Sequence, residues 1–162
     1  MSEPMIRVAT TADVHALAWL RRADTIERRG VTPDADPDFE ARFAHWMTAT
    51  DHCSVSWLAE ADSQPAGMLQ MFVHARMPMP DRDPGGWAYI GVLFVRPDHR
   101  NVGLGRRLLD AALTYAEEQG LSRVLLHPTE RAMPFYRRAG LEPADRYLVW
   151  TAAQQPGQSG SP

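Results

Sequence analysis

Leu93-Phe94-Val95-Arg96-Pro97-Asp98-His99-Arg100-Asn101-Val102-Gly103-Leu104-Gly105-Arg106 is the stretch whose reading decides how this chain folds. Leu93 to Val95 is apolar and strand-like, and Pro97 cannot continue a strand because it has no N–H for the ladder. A short polar turn follows, and Gly103-Leu104-Gly105 opens a helix. Leu104, Leu108, Ala112, Tyr115 and Ala116 recur at three- and four-residue intervals, which stripes one face of a 3.6-period element. Gly120 stands where a left-handed stop is expected. The first turn of such a helix carries N–H groups without intrahelical partners, and its dipole adds about +0.5 charge there. Two glycines let an anion approach that backbone, and Arg100 and Arg106 flank it. The pattern reads as a cradle for a pyrophosphate.

Other phosphate-binding patterns fit less well. A dinucleotide fingerprint wants a third small residue where this chain has Leu108, and an acid about 20 residues on, where it has Leu125 and Leu126. A phosphate loop would need Gly-Lys-Ser/Thr, which the run lacks. A glycine-rich turn without any ligand is the plainer reading of the run taken alone. The downstream residues weigh against that. Val124-Leu125-Leu126 is a short apolar β-type run, followed by His127-Pro128-Thr129 and then by Ala132-Met133-Pro134-Phe135-Tyr136-Arg137-Arg138-Ala139-Gly140-Leu141. Pro134 belongs in a first turn, so this helix starts near Ala132 or Met133, and Gly140 ends it.

Strand, anion turn, helix, strand and a short helix with Phe-Tyr before Gly-Leu resemble the GNAT superfamily of acetyl-CoA-dependent N-acyltransferases. Arg100 to Gly105 is similar to that family's acetyl-CoA motif, and Phe135-Tyr136 with Gly140-Leu141 to its second motif, which usually ends Gly-Phe. The resemblance is close over residues 93–141 and loose elsewhere. Two positions depart from it: Thr129 stands where an asparagine is frequent, and Asn101 where a glycine is. Asn101 tolerates positive φ better than most residues and can still offer its N–H.

The rest of the chain is compatible. At 162 residues, 44% hydrophobic and 23% charged, it suits one soluble domain. A net charge of −3 disfavours a nucleic-acid partner. Cys53 has no second cysteine to pair with, no apolar run approaches the ~20 residues of a membrane span, and the N-terminus lacks a signal-peptide pattern. The expected location is cytoplasmic. Ile6 to Thr10 alternates like a first strand. Thr11-Ala12-Asp13 then offers a cap to a helix containing Val14, Leu17, Ala18 and Leu20. Arg29 to Pro37 reads as a loop, and Asp38 or a neighbour caps a second helix with Phe39, Phe43, Trp46 and Met47. Val55 to Ala59, Gly67 to Ala75, Trp87 to Val95 and Tyr147 to Trp150 read as strands. Ala61 to Pro65 is a hairpin-type turn, and Met77 to Gly86 a proline-rich excursion. The order βααβββαβαβ predicts an α+β fold, a mixed, mostly antiparallel twisted sheet with helices on both faces. That order is also the family's. One acetyltransferase domain is expected over residues 1–151, with 152–162 a disordered tail.

The resemblance implies transfer of an acetyl group from acetyl-CoA to an amine by direct attack. Acetyl-CoA is then the co-substrate, no metal is needed, and the acceptor is a small molecule or peptide amine. A homodimer is an assembly it allows. Leu93, Phe94 and Val95 would pair with the pantetheine and supply a main-chain N–H to the thioester carbonyl. Arg100, Asn101, Val102, Gly103, Leu104, Gly105 and Arg106 would hold the pyrophosphate. Tyr136 maps onto the family's general acid, although an amphipathic tyrosine packed at a sheet edge would look the same. Many relatives place a glutamate base on the strand before the turn, but Trp87 to Val95 contains no acid. His127, His74, Asp81, Asp83, Glu130 and a water relay remain as proton acceptors. His127 can equally be read as a residue that ends its strand.

The acceptor side maps onto Ile26 to Phe39, with Trp87, Tyr89 and the Met77–Asp83 excursion. Its aspartates suit a cationic amine with an apolar body, or else merely cap turns. Met77-Pro78-Met79-Pro80 reads either as an adaptable pocket wall or as an edge-strand exit packed with flexible fillers. His15, His45, His52 and His99 show no metal-ligand spacing. Tyr89-Ile90, Arg96-Pro97 and His127 look like a bacterial branch of the family. The alternatives are a weakly catalytic acyl-CoA sensor and a toxin-like acetyltransferase of aminoacyl-tRNA.

Overall fold

A computed structural model describes residues 3–32, 36–144 and 147–151. The chain forms two compact units, Met1–His127 and Pro128–Pro162. In the first, β1 (Met5–Val8), α1 (Val14–Arg29), α2 (Phe39–Thr50), β2 (Ser54–Ala61), β3 (Gln64–Ala75), β4 (Gly86–Val95), α3 (Leu104–Glu118) and β5 (Val124–Leu125) follow in order. The sheet runs β1-β2-β3-β4-β5, antiparallel up to β4 and parallel between β4 and β5. A parallel neighbour requires a crossover, and α3 provides it.

The two faces fill from different helices. Leu58, Met68 and Phe94 lie in one row across β2, β3 and β4 and form a buried cluster with Leu17, Ala18, Leu20 and Phe43 of α1 and α2. On the opposite face α3 packs against β2, β3 and β4, burying Leu104, Leu108, Leu109, Ala112 and Ala116. Trp57 there meets Tyr115 edge to ring, with centroids 5.5 Å apart. This stripe is the one expected from the periodicity. Truncating a fully buried leucine in it, such as Leu108, would cost about 2–5 kcal/mol. Helices on both faces of a mostly antiparallel sheet are the α+β arrangement the sequence predicts.

Local chemistry fixes the entry to α1. Thr10 and Asp13 form a reciprocal cap, with Thr10 N donating to Asp13 Oδ2 at 2.8 Å and Ala12 N to Thr10 Oγ1 at 3.3 Å. Arg7 of β1 grips the same carboxylate through both terminal nitrogens, at 2.8 and 2.7 Å. Asp38 occupies the cap position of α2 without a side-chain bond. Gly120 takes φ +64°, the expected left-handed stop.

In the second unit α4 (Met133–Arg138) begins beside Pro134, as expected, and ends before Gly140 at φ +91°. The closing strand expected at Tyr147–Trp150 is not formed: these residues carry no strand, and Leu148 and Trp150 are fully or almost fully exposed. An alternating apolar run specifies only half of a strand, because the other half is the backbone edge that pairs with it. Residues 152–162, expected to be a disordered tail, lie outside the described residues.

Candidate active site

β4 is paired along its whole length on one side and only at its start on the other. On the β5 side the register covers Ala88↔Val124 and Tyr89↔Leu125 alone. Beyond Tyr89 the strands part, which is why β5 is shorter than the Val124–Leu126 run predicts. Backbone groups alternate in direction along a strand. Arg96 N donates to Ala66 O toward β3, at 2.9 Å, so the backbone of Leu93 and Val95 turns to the open edge. Phe94 turns its backbone to β3 and its ring into the core. Of the three strand residues expected to meet a cofactor, two therefore face the gap.

A bulge shapes the same strand. Gln70 pairs with Val92 and Met71 with Ile90, leaving Gly91 as the extra residue. A Cβ on Gly91 would lie 2.6 Å from Gln70 Oε1, so any larger residue would have to displace the amide of the buried Gln70, whose Nε2 donates to Ser54 Oγ at 3.0 Å. The extra residue also resets the alternation. Tyr89 and Val92 pair with Phe72 and Gln70, two residues apart on β3 and therefore on one face. Trp87, Tyr89, Val92 and Phe94 all point toward the side of α1 and α2. Sequence reasoning missed this residue, although a glycine inside a strand pattern is the usual signal for a bulge.

The strand runs into the anion turn. Pro97–His99 makes one turn of 3₁₀ helix, Asn101 takes φ +63°, and Gly103 takes φ +84° at the start of α3. Arg107 N donates to Gly103 O at 3.1 Å as the first helical bond. Among the described residues, the amides of Asn101 to Gly105 donate to no backbone carbonyl or capping side chain. Gly103 is the position where a side chain would be strained, because a β-branched residue at that φ is an outlier. Asn101 replaces the family's frequent glycine in the left-handed conformation that asparagine tolerates.

Arg100 is engaged within the chain. Its Nε donates to Val95 O at 2.8 Å, and its terminal nitrogens hold Glu27 of α1 at 2.9 and 2.6 Å. The Glu27 carboxylate raises the Arg100 pKa against a smaller opposing effect of burial. Arg100 thus fixes the shape of the turn, and its charge is balanced. Arg106 pairs with Asp110 one helical turn on, Nε to Oδ1 at 2.8 Å.

His127 follows β5 and is exposed, with Nδ1 3.1 Å from the hydroxyl of Tyr89. His74 stacks on Trp87 at 4.3 Å between centroids. On the acceptor side, Asp36 forms a paired contact with Arg42 at 2.8 and 2.5 Å, which lowers the carboxyl pKa. Asp83 accepts from Gly85 N at 2.9 Å, so it caps its own turn, and Asp81 is exposed. Asp34 lies outside the described residues. In the second unit Tyr136 is half-buried, its ring 5.0 Å from Phe135 in an edge contact. No group of three or more metal-ligating side chains occurs among the described residues. Nor is any helix among them long and apolar enough to cross a membrane.

Comparison with known proteins bears on this arrangement. Mycothiol acetyltransferase of Cellulomonas flavigena is 37% identical over 89 residues, 51% of this chain and 25% of that protein, so the chain spans a quarter of its length. A "predicted acetyltransferase" of Clostridium acetobutylicum, solved with acetyl-CoA, superposes with a TM-score of 0.73 at 20% identity, over 92% of this chain and 96% of that one. The aminoglycoside N-acetyltransferase AAC(6')-Iy, solved with a bisubstrate analogue, does so with a TM-score of 0.72 at 16% identity, over 94% and 100%. At those identities the likeness is one of fold. The sequence profile of the acetyltransferase (GNAT) family matches residues 14–141, from the first turn of α1 past the end of α4. An open β4 edge leading into a turn of unengaged amides, within a match of that extent, makes this chain a member of the GNAT acetyltransferase family.

Proposed function

We propose that the protein transfers an acetyl group from acetyl-CoA to a primary amine of a small molecule or peptide by direct attack. The observation that carries this reading is the β4 edge, which β5 leaves after Tyr89, running into five successive amides that have no backbone partner among the described residues. An extended pantetheine suits such an edge, and a pyrophosphate suits amides at a helix start. Leu93 and Val95 would bind the pantetheine and supply the N–H that polarises the thioester carbonyl. A main-chain donor aimed at a developing oxyanion contributes about 2.7–4 kcal/mol. Asn101, Val102, Gly103, Leu104 and Gly105 would hold the pyrophosphate by main chain, with Arg106 beside them. Acetyl-CoA supplies the activated acyl group; everything else is done by the chain.

Tyr136 is assigned the proton for the departing thiolate. A phenol (pKa about 10) stays protonated at neutral pH, where a free thiolate (pKa about 8.5) gains a proton readily. The amine must lose protons, and His127 is the candidate to receive one. The acceptor is placed against Trp87, Tyr89, the Ile26–Phe39 connection and the Met77–Asp83 excursion. Asp36 is paired with Arg42 and Asp83 caps a turn, so the rings of Trp87 and Tyr89 are assigned to the body of the acceptor. An amine with an apolar body fits those rings. The family match runs across both compact units, which supports one acetyltransferase domain over residues 1–151; the cytoplasm is its proposed location.

Thiol release from acetyl-CoA over polyamines, aromatic amines, amino acids and short peptides tests the reading. Amine-dependent release is expected. Tight acetyl-CoA binding with no release over any amine would instead mark an acyl-CoA sensor. Retention of aminoacyl-tRNA at physiological salt would redirect the acceptor to RNA.

A further inference from the structure

Tyr89 and His127 meet where β4 and β5 part. The parallel register ends at Tyr89↔Leu125, and His127 lies two residues beyond Leu125. The phenol oxygen is 3.1 Å from His127 Nδ1, and the rings are tilted with centroids 5.8 Å apart. His127 is exposed and Tyr89 half-buried, so neither is a core filler. Through the Gly91 bulge Tyr89 shares its face with Trp87, Val92 and Phe94, the face turned to α1 and α2. Among the β3 and β4 residues on that face, the ionisable ones are Tyr89 and His74, the latter stacked on Trp87. Among the described residues no carboxylate or guanidinium pairs with His127. β4 itself carries no acid.

A protonated amine cannot attack a thioester, so its proton needs an acceptor within reach of the gap. We infer that His127 is that acceptor and that Tyr89 is its positioning residue. The phenol oxygen takes a hydrogen bond from Nδ1–H, which leaves the lone pair on Nε2. This deepens the acetyl-transfer reading and rests on it. Nε2 takes one proton from R–NH3+, giving R–NH2 and an imidazolium whose Nδ1–H still donates to Tyr89. The nitrogen lone pair forms the C–N bond as the C–S bond breaks. Tyr136, in the role proposed above, gives its phenol proton to the thiolate sulfur and is restored by the second amine proton, and the imidazolium returns the first to solvent. A hydroxyl partner suits this duty because it fixes the tautomer and the ring without adding a second charge. Imidazole is also the side chain whose unperturbed charge change falls between pH 5 and 8, where a general base works best.

Two measurements on the full chain test the pair. Thiol release is followed with phenethylamine, tyramine, spermidine and an alanyl peptide across pH, and the tautomer is read from imidazole 15N shifts. His127→Gln should lower kcat/KM by about 100-fold near pH 7 with unchanged acetyl-CoA affinity. That deficit should shrink toward pH 10, where the amine deprotonates unaided. Tyr89→Phe should cost roughly 5–10-fold, move His127 toward the Nε2–H tautomer, and add almost nothing in the His127→Gln background. Parallel pH profiles for wild type and His127→Gln would overturn the base. An unchanged tautomer in Tyr89→Phe would overturn the positioning role. A wild type that binds acetyl-CoA but releases thiol with none of these amines would overturn the acetyl-transfer reading itself, and the base with it. Melting curves of both variants should match wild type, since neither residue fills the core.

Discussion

The turn from Arg96 to Gly103 and the excursion from Arg76 to Gly85 lead out of and into the same strand, and they use their backbones in opposite ways. In the turn, Asn101 and Gly103 adopt left-handed conformations, and the amides from Asn101 to Gly105 donate to no backbone carbonyl among the described residues. Its side chains hold the shape: Arg100 ties Val95 O to Glu27, and Arg96 reaches Asp98 at 2.7 Å. In the excursion the backbone is engaged locally, with Gly85 N on Asp83 and a bridge between Met79 and Arg82. There the side chains are left over, Met77 86% and Met79 43% exposed. On the proposed reading, a ligand at the first region would be read by main chain, and one at the second by side chains. Substitutions should therefore act through conformation in the turn and through surface in the excursion.

The largest effect should come from the turn. Binding to the native state alone adds about 2.7 kcal/mol of stability at a hundredfold excess of acetyl-CoA over Kd. Gly103→Val places a β-branched residue at φ +84°, a strain of about 1–3 kcal/mol. Gly105→Glu brings a negative charge to the helix start. Both should abolish the acetyl-CoA-dependent gain in Tm while leaving a cooperative melt. Equal gains in wild type and variants would break the main-chain half of the contrast.

Tyr136 belongs to neither region and separates binding from chemistry. Tyr136→Phe keeps the ring and removes the proton donor, so kcat should fall about 100-fold, the low end for general acids, with acetyl-CoA affinity unchanged. An unchanged kcat, under conditions where chemistry limits turnover, would remove Tyr136 from the mechanism.

The two regions also differ in how legible they were. The helix after the turn follows from local spacing, and its left-handed residues are a glycine and an asparagine, so residues 93–120 could be read almost element by element. What could not be read there depends on distant partners. That Arg100 beside the anion turn holds Glu27, 73 residues earlier, is one such feature. On the acceptor side the difficulty was register. Trp87 and Tyr89 alternate out of phase with Val92 and Phe94, and only the Gly91 bulge brings them to one face. The hydrogen bond between Tyr89 and His127 then depends on where β5 leaves β4, which no spacing encodes. Two of the aspartates are engaged locally: Asp36 and Asp83 have partners within a few residues.

A site outside both regions supplies the control. The Asp13 carboxyl is held down to about 2, chiefly by the hydrogen-bonded Arg7 guanidinium and further by the Thr10 amide, against an opposing effect of burial. Its pKa lies below the unfolded value, so its stabilisation is present above about pH 4 and lost as the pH falls toward 2. With Arg7 a third exposed, Asp13→Asn should cost on the order of 1 kcal/mol at pH 7. The difference from wild type should vanish near pH 2, while the gain from acetyl-CoA stays intact. A loss of that gain would mean that binding senses global stability rather than the turn.

The smallest effect is expected in the excursion. Exposed side chains away from special backbone features usually change stability by no more than about 0.5 kcal/mol, so Met79→Ala and Met77→Ser should melt like wild type and keep the full acetyl-CoA gain. If their thioethers lie over the acceptor, truncation removes contact made equally in ground and transition states. That raises KM for an aromatic amine, by roughly two- to fivefold, and leaves kcat alone. The same variants should be indifferent to a short polyamine, which offers little apolar surface. A uniform KM for every acceptor would reduce the excursion to an edge-strand exit. Loss of acetyl-CoA stabilisation in Met79→Ala comparable to that in Gly103→Val would erase the division between a main-chain side and a side-chain side altogether.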